Sequence, residues 1–561
     1  MVIYEKYIGK NRDEFSSYND IKSNYKVSYP DNFNFAYDVI DCLGRERPNE
    51  LALVWVGNDF SEKKFTFSEM SKYSNKTANY LKSLGIQKGD RVLVVLRRSY
   101  LFWHTILALH KLGAICVQAT HLLMKKDYSY RCNAAKIKAV IITGDLDCAE
   151  RFDEAEDECN TVKIKLTTKS ENWEERSSKG WQLFEEGIES ASEDFERVDT
   201  KATEISLLLF SSGTTGYPKM ITHDYTYPLG HLTTGVFWHR VERGGLHFTI
   251  SDTGWAKSLW GKIYGQWLGE SAIFVYDFDK FDAKNILKLL EKYKITTFCA
   301  PPTMYRFILN EDVASYDLSS LKHCTTAGEA LNPDVFIKWK ELVGVSIYEG
   351  FGQTETTVCC GVLYPFSEPN PGAMGLPMPG YDIVVADENG EEVPAGISGE
   401  ICIKAIRGGS RPTGLFIGYA ENEQENQRAF NQGLYHTGDI VYRDERGYLW
   451  YVGRNDDIIK SSGYRIGPFE VESVLLEHPA VMEAAVTGVP DALRGFSVKA
   501  TIVLAKGFEP SNELVKELQN YVKKNTAPYK YPRVVEFVHD LPKTTSGKIR
   551  RAEIRETDQN S

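Results

Sequence analysis

Short aliphatic runs alternate along this chain with stretches of helical period, and that alternation restricts the fold more than any other feature of the sequence. Between Arg91 and Thr143 an apolar run (Val92 to Leu96) precedes a helical-period stretch (Tyr100 to Leu112), and two more runs follow, Ala114 to Val117 and Ala139 to Thr143. The same order returns at Ile273 to Tyr276, the amphipathic Ala283 to Tyr293, and Thr297 to Ala300. Parallel strands need a long crossover, usually a helix, so this order predicts βαβ units and an α/β fold. At 561 residues the chain exceeds the roughly 250 to 300 residues one core serves, and at least two domains are expected.

The texture changes twice. From Tyr381 it becomes hairpin-like, with Val384 and Val385 before the turn Asn389-Gly390 and then Ile401 to Ile403, which predicts a smaller β-rich subdomain. After Asp456 comes a compact pattern: an amphipathic helix (Phe469, Val471, Val474, Leu475), strands Ala484 to Val489 and Val498 to Leu504, and a helix Leu514 to Val522. The expected organisation is an N-terminal part, 1–455, of layered α/β subdomains plus the β-rich one, and a small mobile α+β domain, 456–561. Lys169 to Thr200, rich in Ser, Glu, Lys and Asp, reads as a solvated surface insertion.

Net charge excludes one class of function. With 66 Lys+Arg against 77 Asp+Glu, a formal net charge of -11, the chain lacks the basic footprint of a nucleic-acid binder. An anionic ligand must be held by local groups. Ten scattered cysteines, with Cys359 and Cys360 adjacent, fit a reduced compartment. No secretory leader or membrane-length apolar run is found, and a cytoplasmic protein is expected.

Six segments carry chemistry. Ser211-Ser212-Gly213-Thr214-Thr215-Gly216-Tyr217-Pro218-Lys219 follows the apolar run Leu207 to Phe210. Its glycines allow close backbone approach, its hydroxyls and N–H groups suit phosphate oxygens, and Lys219 adds charge, although the spacing is not that of a Walker A loop. Next come Ala327-Gly328-Glu329-Ala330 and Tyr348-Glu349-Gly350-Phe351-Gly352-Gln353-Thr354-Glu355. There Thr354 suits a phosphate oxygen, Glu355 offers the hard oxygen Mg2+ prefers, and Phe351 presents a face for a base. In Tyr435-His436-Thr437-Gly438-Asp439 the carboxylate follows a tight turn and suits ribose hydroxyls. The fifth segment, Gly453 to Arg465, lies at the expected domain boundary, and the sixth, Leu541 to Arg551, is basic. Singly, each also fits a bland role as turn, core, linker or solubilising tail.

In this order on one chain, the six segments resemble those of an AMP-forming acyl-CoA synthetase, in the adenylate-forming superfamily that includes luciferases and nonribosomal-peptide adenylation domains. The resemblance runs from about Phe33 to Arg551, and Gly463 to Glu472 and Tyr348 to Thr356 look most like the medium-chain branch. It implies ATP, Mg2+ and coenzyme A. Lys548 would bridge the substrate carboxylate and the α-phosphate, with Thr354 and Glu355 as the other catalytic groups and Glu355 on the metal. Ser211, Ser212, Gly213, Thr214, Thr215, Gly216 and Lys219 would hold the β- and γ-phosphates, while Gly328, Glu329 and Ala330 with Phe351 take adenine. Glu349, Gly350, Gly352 and Gln353 belong to the same nucleotide segment, and Asp439 and Arg454 would hold ribose. By motif position Asp456 is the hinge, Gly463 and Tyr464 flank the pantetheine tunnel, and Arg465 contacts a phosphate.

For the acid, the resemblance points to Trp255, Lys257, Trp260, Cys299, Gly350 and Gly352. Acetate-specific relatives carry Trp where this chain has Gly352, so the glycine is expected to leave room for several methylenes, each worth about 0.8 kcal/mol when buried. A medium-chain or branched short-chain acid is expected, and an intruding Trp260 would shorten the pocket. Alternatives are a carrier-protein acceptor supplied in trans, a luciferase-type oxygenase, and a nucleotide-binding regulator without catalysis. Partners are expected to be the acid, ATP and CoA, with no nucleic acid or membrane, and homo-oligomers are compatible with the sequence.

Overall fold

Three sheets carry the chain in the computed structural model. Residues 1–170, 173–211, 218–329, 331–461, 464–491, 493–543 and 549–560 are described, apart from the side chains of 173, 465, 559 and 560. The first sheet has eight strands, in the order Gly418–Tyr419, Met220–Asp224, Ile205–Phe210, Ile115–Gln118, Arg91–Val95, Ala139–Ile142, Ile164–Thr167 and Gln182–Leu183. From Ile205–Phe210 onward its neighbours are parallel. The alternation at residues 91–143 is therefore a pair of βαβ crossovers, with helices Leu101–Leu112 and Lys125–Ala134 between the strands.

The second sheet has a parallel centre and an antiparallel end. Ala272–Tyr276, Leu246–Thr249, Thr297–Cys299, His323–Ala327 and Ile347–Gly352 run parallel in that spatial order. Beyond Ile347–Gly352 the pairing turns antiparallel, through Val358–Gly361 and Ala373–Pro377 to the hairpin strands Ile383–Ala386, Ser398–Lys404, Leu434–Arg443 and Leu449–Arg454. These last strands are the expected β-rich region. Its turn at Asn389-Gly390 places Gly390 at φ 79°, where a side chain would be strained.

Helix Leu101–Leu112 is buried on every residue and lies between the first two sheets. One apolar cluster joins Val92, Val94 and Ile141 of the first sheet to Leu53, Ile273 and Val275 of the second, through Phe102, Trp103 and Ile106. The apolar residues of this helix meet neighbours on every side, and the buried Lys111 among them is paired with Asp41 at 2.6 Å. Helix Phe67–Ser83 covers it, starting at a reciprocal Thr66/Glu69 cap.

The third sheet is formed by Tyr464–Ile466, Ile459–Ser461, Gly495–Leu504 and Val481–Asp491, with Val534–Val538 beside Gly495–Leu504. It begins after the second sheet ends at Arg454, and Ile466, Val471, Val486, Val498, Ile502, Leu518 and Val522 form a core of their own.

One expectation is corrected here. Lys169 to Thr200 is not simply a solvated insertion: it holds helices Trp173–Ser178 and Phe184–Ser190 and the edge strand Gln182–Leu183. Trp181, Phe184 and Ile188 are buried, so a few apolar residues of suitable spacing dock an otherwise polar stretch.

Candidate active site

Ligands of open α/β sheets gather at the carboxyl ends of the strands, where side chains and helix or loop N–H groups converge. Here Ser211 follows strand Ile205–Phe210, Gly328 and Glu329 follow His323–Ala327, Cys299 ends Thr297–Cys299, and Gln353 to Glu355 follow Ile347–Gly352. These expected residues, from Ser211 to Glu355, 144 positions apart, thus reach one end of two sheets.

Strand Ile347–Gly352 divides the site. Successive side chains of a strand point to opposite faces. Gly350 and Gly352 share a face, and a Cβ at Gly350 would lie 2.6 Å from the Trp238 ring, one at Gly352 2.7 Å from the Trp260 ring. Two missing side chains admit two indoles. Phe351 faces the other way, its ring 6.4 Å from that of Tyr451.

On the Phe351 side lies a carboxylate held from three directions. Asp439, 4% exposed, accepts from Gln353 Nε2 at 2.5 Å and Tyr451 Oη at 3.1 Å, and pairs with Arg454 Nη1 at 3.3 Å. Asp439 and Arg454 are cross-strand partners. A bulge carries Asp439 there: Glu400 pairs with Ile440 but Cys402 with His436, so three residues of one strand answer one of the other. Bulges of this kind re-aim side chains next to ligand sites. Burial works to lower the Arg454 pKa, but Asp439 and Asp456 outweigh it and raise it, keeping the guanidinium charged.

The phosphate-type loop is closed at its base by Ser211 N donating to the Lys219 carbonyl at 3.0 Å, and Tyr130 Oη donates to the Pro218 carbonyl at 2.8 Å. Lys219 meets Glu425 at 2.5 Å. Ser212, Gly213, Thr214, Thr215, Gly216 and Ala330 lie outside the described residues. Thr354 is positioned through its carbonyl, which accepts from His223 Nε2 at 2.8 Å. Glu355 Oε1 accepts from Tyr419 Oη at 2.9 Å, and burial raises its pKa, a cost that a bound cation would offset. Glu329 accepts from Thr303 Oγ1 at 2.9 Å.

Two site expectations are corrected. Glu349 is 7% exposed, and its two oxygens accept from Leu331 N at 2.9 Å and Gly372 N at 3.1 Å, so it braces the site rather than facing a ligand. Burial pushes its pKa up to about 8. The room expected beside Gly352 is occupied by Trp260, 7% exposed, and the Thr357 carbonyl lies 2.3 Å from a Cβ at that glycine. Gly352 thus makes space for protein, not for several methylenes. Lys257 Nζ donates to the Ala327 carbonyl at 2.9 Å, Trp255 caps the helix Ala256–Gly261, and Cys299 is buried in the same cluster as Trp238 and Trp260.

In the C-terminal unit, Asp456 stands 3.6 Å from Arg454 Nε, while its neighbour Asp457 holds Arg555 at 2.5 Å and Arg551 at 3.7 Å. Glu472, 4% exposed, takes Arg551 at 2.6 and 2.8 Å. Tyr464 stacks on Tyr529 with ring centroids 4.0 Å apart. Gly463, Lys548 and the side chain of Arg465 lie outside the described residues. Sequence reading missed His223, Tyr419, Tyr451 and Trp238 because each acts on a residue 12 to 131 positions away, and no local pattern marks such a pair.

Comparison with known proteins agrees with this geometry. Residues 43–419 match the AMP-binding enzyme family and 470–548 the AMP-binding enzyme C-terminal domain. The chain is 40% identical to the mitochondrial acyl-coenzyme A synthetase ACSM3 of Mus musculus, over 99% of this chain and 95% of that protein. It is 42% identical to mitochondrial ACSM4 of Rattus norvegicus, over 94% and 91%. Among solved structures it resembles the anthranilate CoA ligase AuaEII in complex with anthranoyl-AMP, with TM-score 0.85 and 29% identity over 95% of this chain and 98% of that one. A benzoate CoA ligase from Burkholderia xenovorans LB400 gives TM-score 0.79 and 28% identity over 93% and 100%. The cytoplasmic expectation is overturned, since these curated relatives are mitochondrial proteins.

Proposed function

The chain belongs to the AMP-binding enzyme family and is an ATP-dependent acyl-CoA synthetase, and we propose that it activates a branched short-chain or compact medium-chain acid in a site divided by strand Ile347–Gly352. The observation that carries this reading is the pair of tryptophans seated at Gly350 and Gly352 on one face, with Asp439 and its partners on the Phe351 side. An acyl chain taken up beside this face would meet the Trp238 and Trp260 rings as its wall, which favours a compact chain over a long straight one.

In the first half-reaction a carboxylate oxygen of the acid attacks the α-phosphorus of ATP, the bond to pyrophosphate breaks, and an acyl-adenylate forms. Asp439 accepts from the ribose hydroxyls while Gln353, Tyr451 and Arg454 fix its orientation. Phe351 and the Gly328 to Ala330 turn take the adenine, and Lys219 with the loop 211–219 takes the β- and γ-phosphates. Lys548 offsets the charge shared between carboxylate and α-phosphate, where positioned cations gain most in phosphoryl-type transfer. Glu355 is suited to Mg2+, which when bound neutralises phosphate charge.

In the second half-reaction the sulfur of CoA attacks the acyl carbonyl and AMP leaves. The two units, 1–455 and 456–561, change their relative orientation about Asp456 between the steps, withdrawing Lys548 and presenting Gly463, Tyr464 and Arg465 to CoA. Separate cores and separate sheets on either side of Arg454 and Ile459 support such a rearrangement.

Purified protein with Mg-ATP and acids of graded length and branching, with and without CoA, tests the reading by pyrophosphate and thioester formation. The expected result is AMP turnover that depends on CoA; absence of any thioester would overturn it. Lys548→Ala should abolish adenylation yet spare thioester formation from a supplied acyl-adenylate, and equal loss of both would remove Lys548 from its assigned role.

A further inference from the structure

Beside the bulge that carries Asp439, three unlike donors meet on one face of a strand pair. Glu400 and Cys402 stand two residues apart on strand Ser398–Lys404, so both point the same way, and His436 is the cross-strand partner of Cys402. His436 Nδ1 lies 2.9 Å from Glu400 Oε2 and 3.5 Å from Cys402 Sγ, and the three ligand atoms lie within 4.8 Å of one another. Among the described residues this is the one group of three such side chains close enough to share an ion.

We infer that Glu400, Cys402 and His436 form a binding site for a borderline-soft divalent transition metal such as Zn2+, separate from the Mg2+ position at Glu355. The spacing fits. Donors about 2.0 to 2.3 Å from a tetrahedral Zn2+ stand about 3.3 to 3.8 Å apart; the 3.5 Å between Cys402 and His436 falls in that range, and the 2.9 Å between His436 and Glu400 opens into it by a small side-chain shift. The set of one sulfur, one imidazole nitrogen and one carboxylate oxygen suits Zn2+ or Co2+ and not Mg2+, which requires oxygen donors in octahedral array. A fourth position is left to water.

The surroundings hold the donors in place. Glu400 Oε1 accepts from Gly438 N at 2.7 Å, which leaves Oε2 turned to His436. A ligating carboxylate oriented through its second oxygen in this way is what a metal site needs. Cys402 is wholly buried in the strand pair, so its sulfur has little freedom to move off the site. His436 Nε2 is buried without a hydrogen-bond partner, so Nδ1 is the nitrogen with neighbours, and it faces the other two donors. On binding, Cys402 releases one proton to solvent and becomes a thiolate ligand, while His436 binds as neutral imidazole with its proton on Nε2.

Co2+ titrated into metal-free, full-length protein tests this. The expected result is one equivalent bound, with tetrahedral visible bands and a thiolate-to-metal charge-transfer band, both removed by one equivalent of Zn2+ and unaffected by excess Mg2+. Cys402→Ser should abolish the charge-transfer band, and Glu400→Gln should weaken binding at least tenfold. Zn2+ should raise the melting temperature of the wild type but not of Cys402→Ser, since an ion bound only to the folded state stabilises it by mass action. The inference is overturned by absence of the band in the wild type, or by a band that survives Cys402→Ser and is lost in Cys42→Ser, Cys42 being the one cysteine that is not buried. Each variant is checked for an unchanged fold by its own melting curve.

Discussion

Replacing Trp260 by Ala should convert the enzyme from one that favours compact acids to one that favours longer straight chains. The ring of Trp260 approaches within 2.7 Å of a Cβ built at Gly352, and the residue is 7% exposed, so the indole fills the volume beside the glycine. Removing it frees room for about four methylenes, each worth about 0.8 kcal/mol on burial, or about 3 kcal/mol in all. At about 1.4 kcal/mol per decade this is a change of about a hundredfold in kcat/KM for the longer acid relative to the shorter one. Loss of a buried indole also costs about 3 to 5 kcal/mol of stability, so the variant's melting temperature must be followed alongside. The assay is pyrophosphate release over straight acids of increasing length and their 2-methyl analogues. A folded variant with an unchanged length ranking would refute the assignment of Trp260 as the chamber wall. A control separates wall from backbone: Gly352→Ala should stay impaired even in the Trp260→Ala background, because the Thr357 carbonyl lies 2.3 Å from the new Cβ whether or not the indole is present.

Asp439→Asn should raise the KM for ATP by about tenfold to a hundredfold, the worth of a hydrogen bond to a charged group, while steady-state CoA dependence is retained; an unchanged KM would remove Asp439 from the ribose. Glu472→Gln should slow adenylation about tenfold and spare thioester formation from a supplied adenylate, because it loosens Arg551, which is held at 2.6 Å three residues after Lys548; equal slowing of both steps would refute it. Glu349 titrates near pH 8 when folded because burial disfavours its charge. Its folded pKa is raised, so the folded state binds the extra proton and stability falls as pH rises from about 4.5 to about 8, by about 1.4 kcal/mol per pH unit. Denaturant unfolding of Glu349→Gln should lack that slope, and identical pH profiles in variant and wild type would refute the assignment.

Much of the fold was legible because it rests on local pattern. Apolar runs such as Val92 to Leu96 and Thr297 to Ala300 ended within a residue or two of the strands observed, since a strand buried on both faces must be apolar throughout. The segment Lys169 to Thr200 misled because its apolar burial rests on Trp181, Leu183, Phe184 and Ile188, too few to outweigh a polar composition.

The sequence by itself determined the α/β layering, the two-part organisation and the chemical kind of the site, because glycines, hydroxyls, lysines and carboxylates in short ordered segments limit what can be bound. It did not decide what fills the space beside Gly352. That was settled by a tryptophan 92 residues earlier, folded against the face that Gly352 presents. Nor did it decide that Glu349 faces backbone N–H groups, or that Gln353, Tyr451 and Arg454 converge on Asp439. The physical reason is the same in each case: a missing side chain or a carboxylate states only what is allowed at its own position, and the partner comes from wherever the chain returns in space.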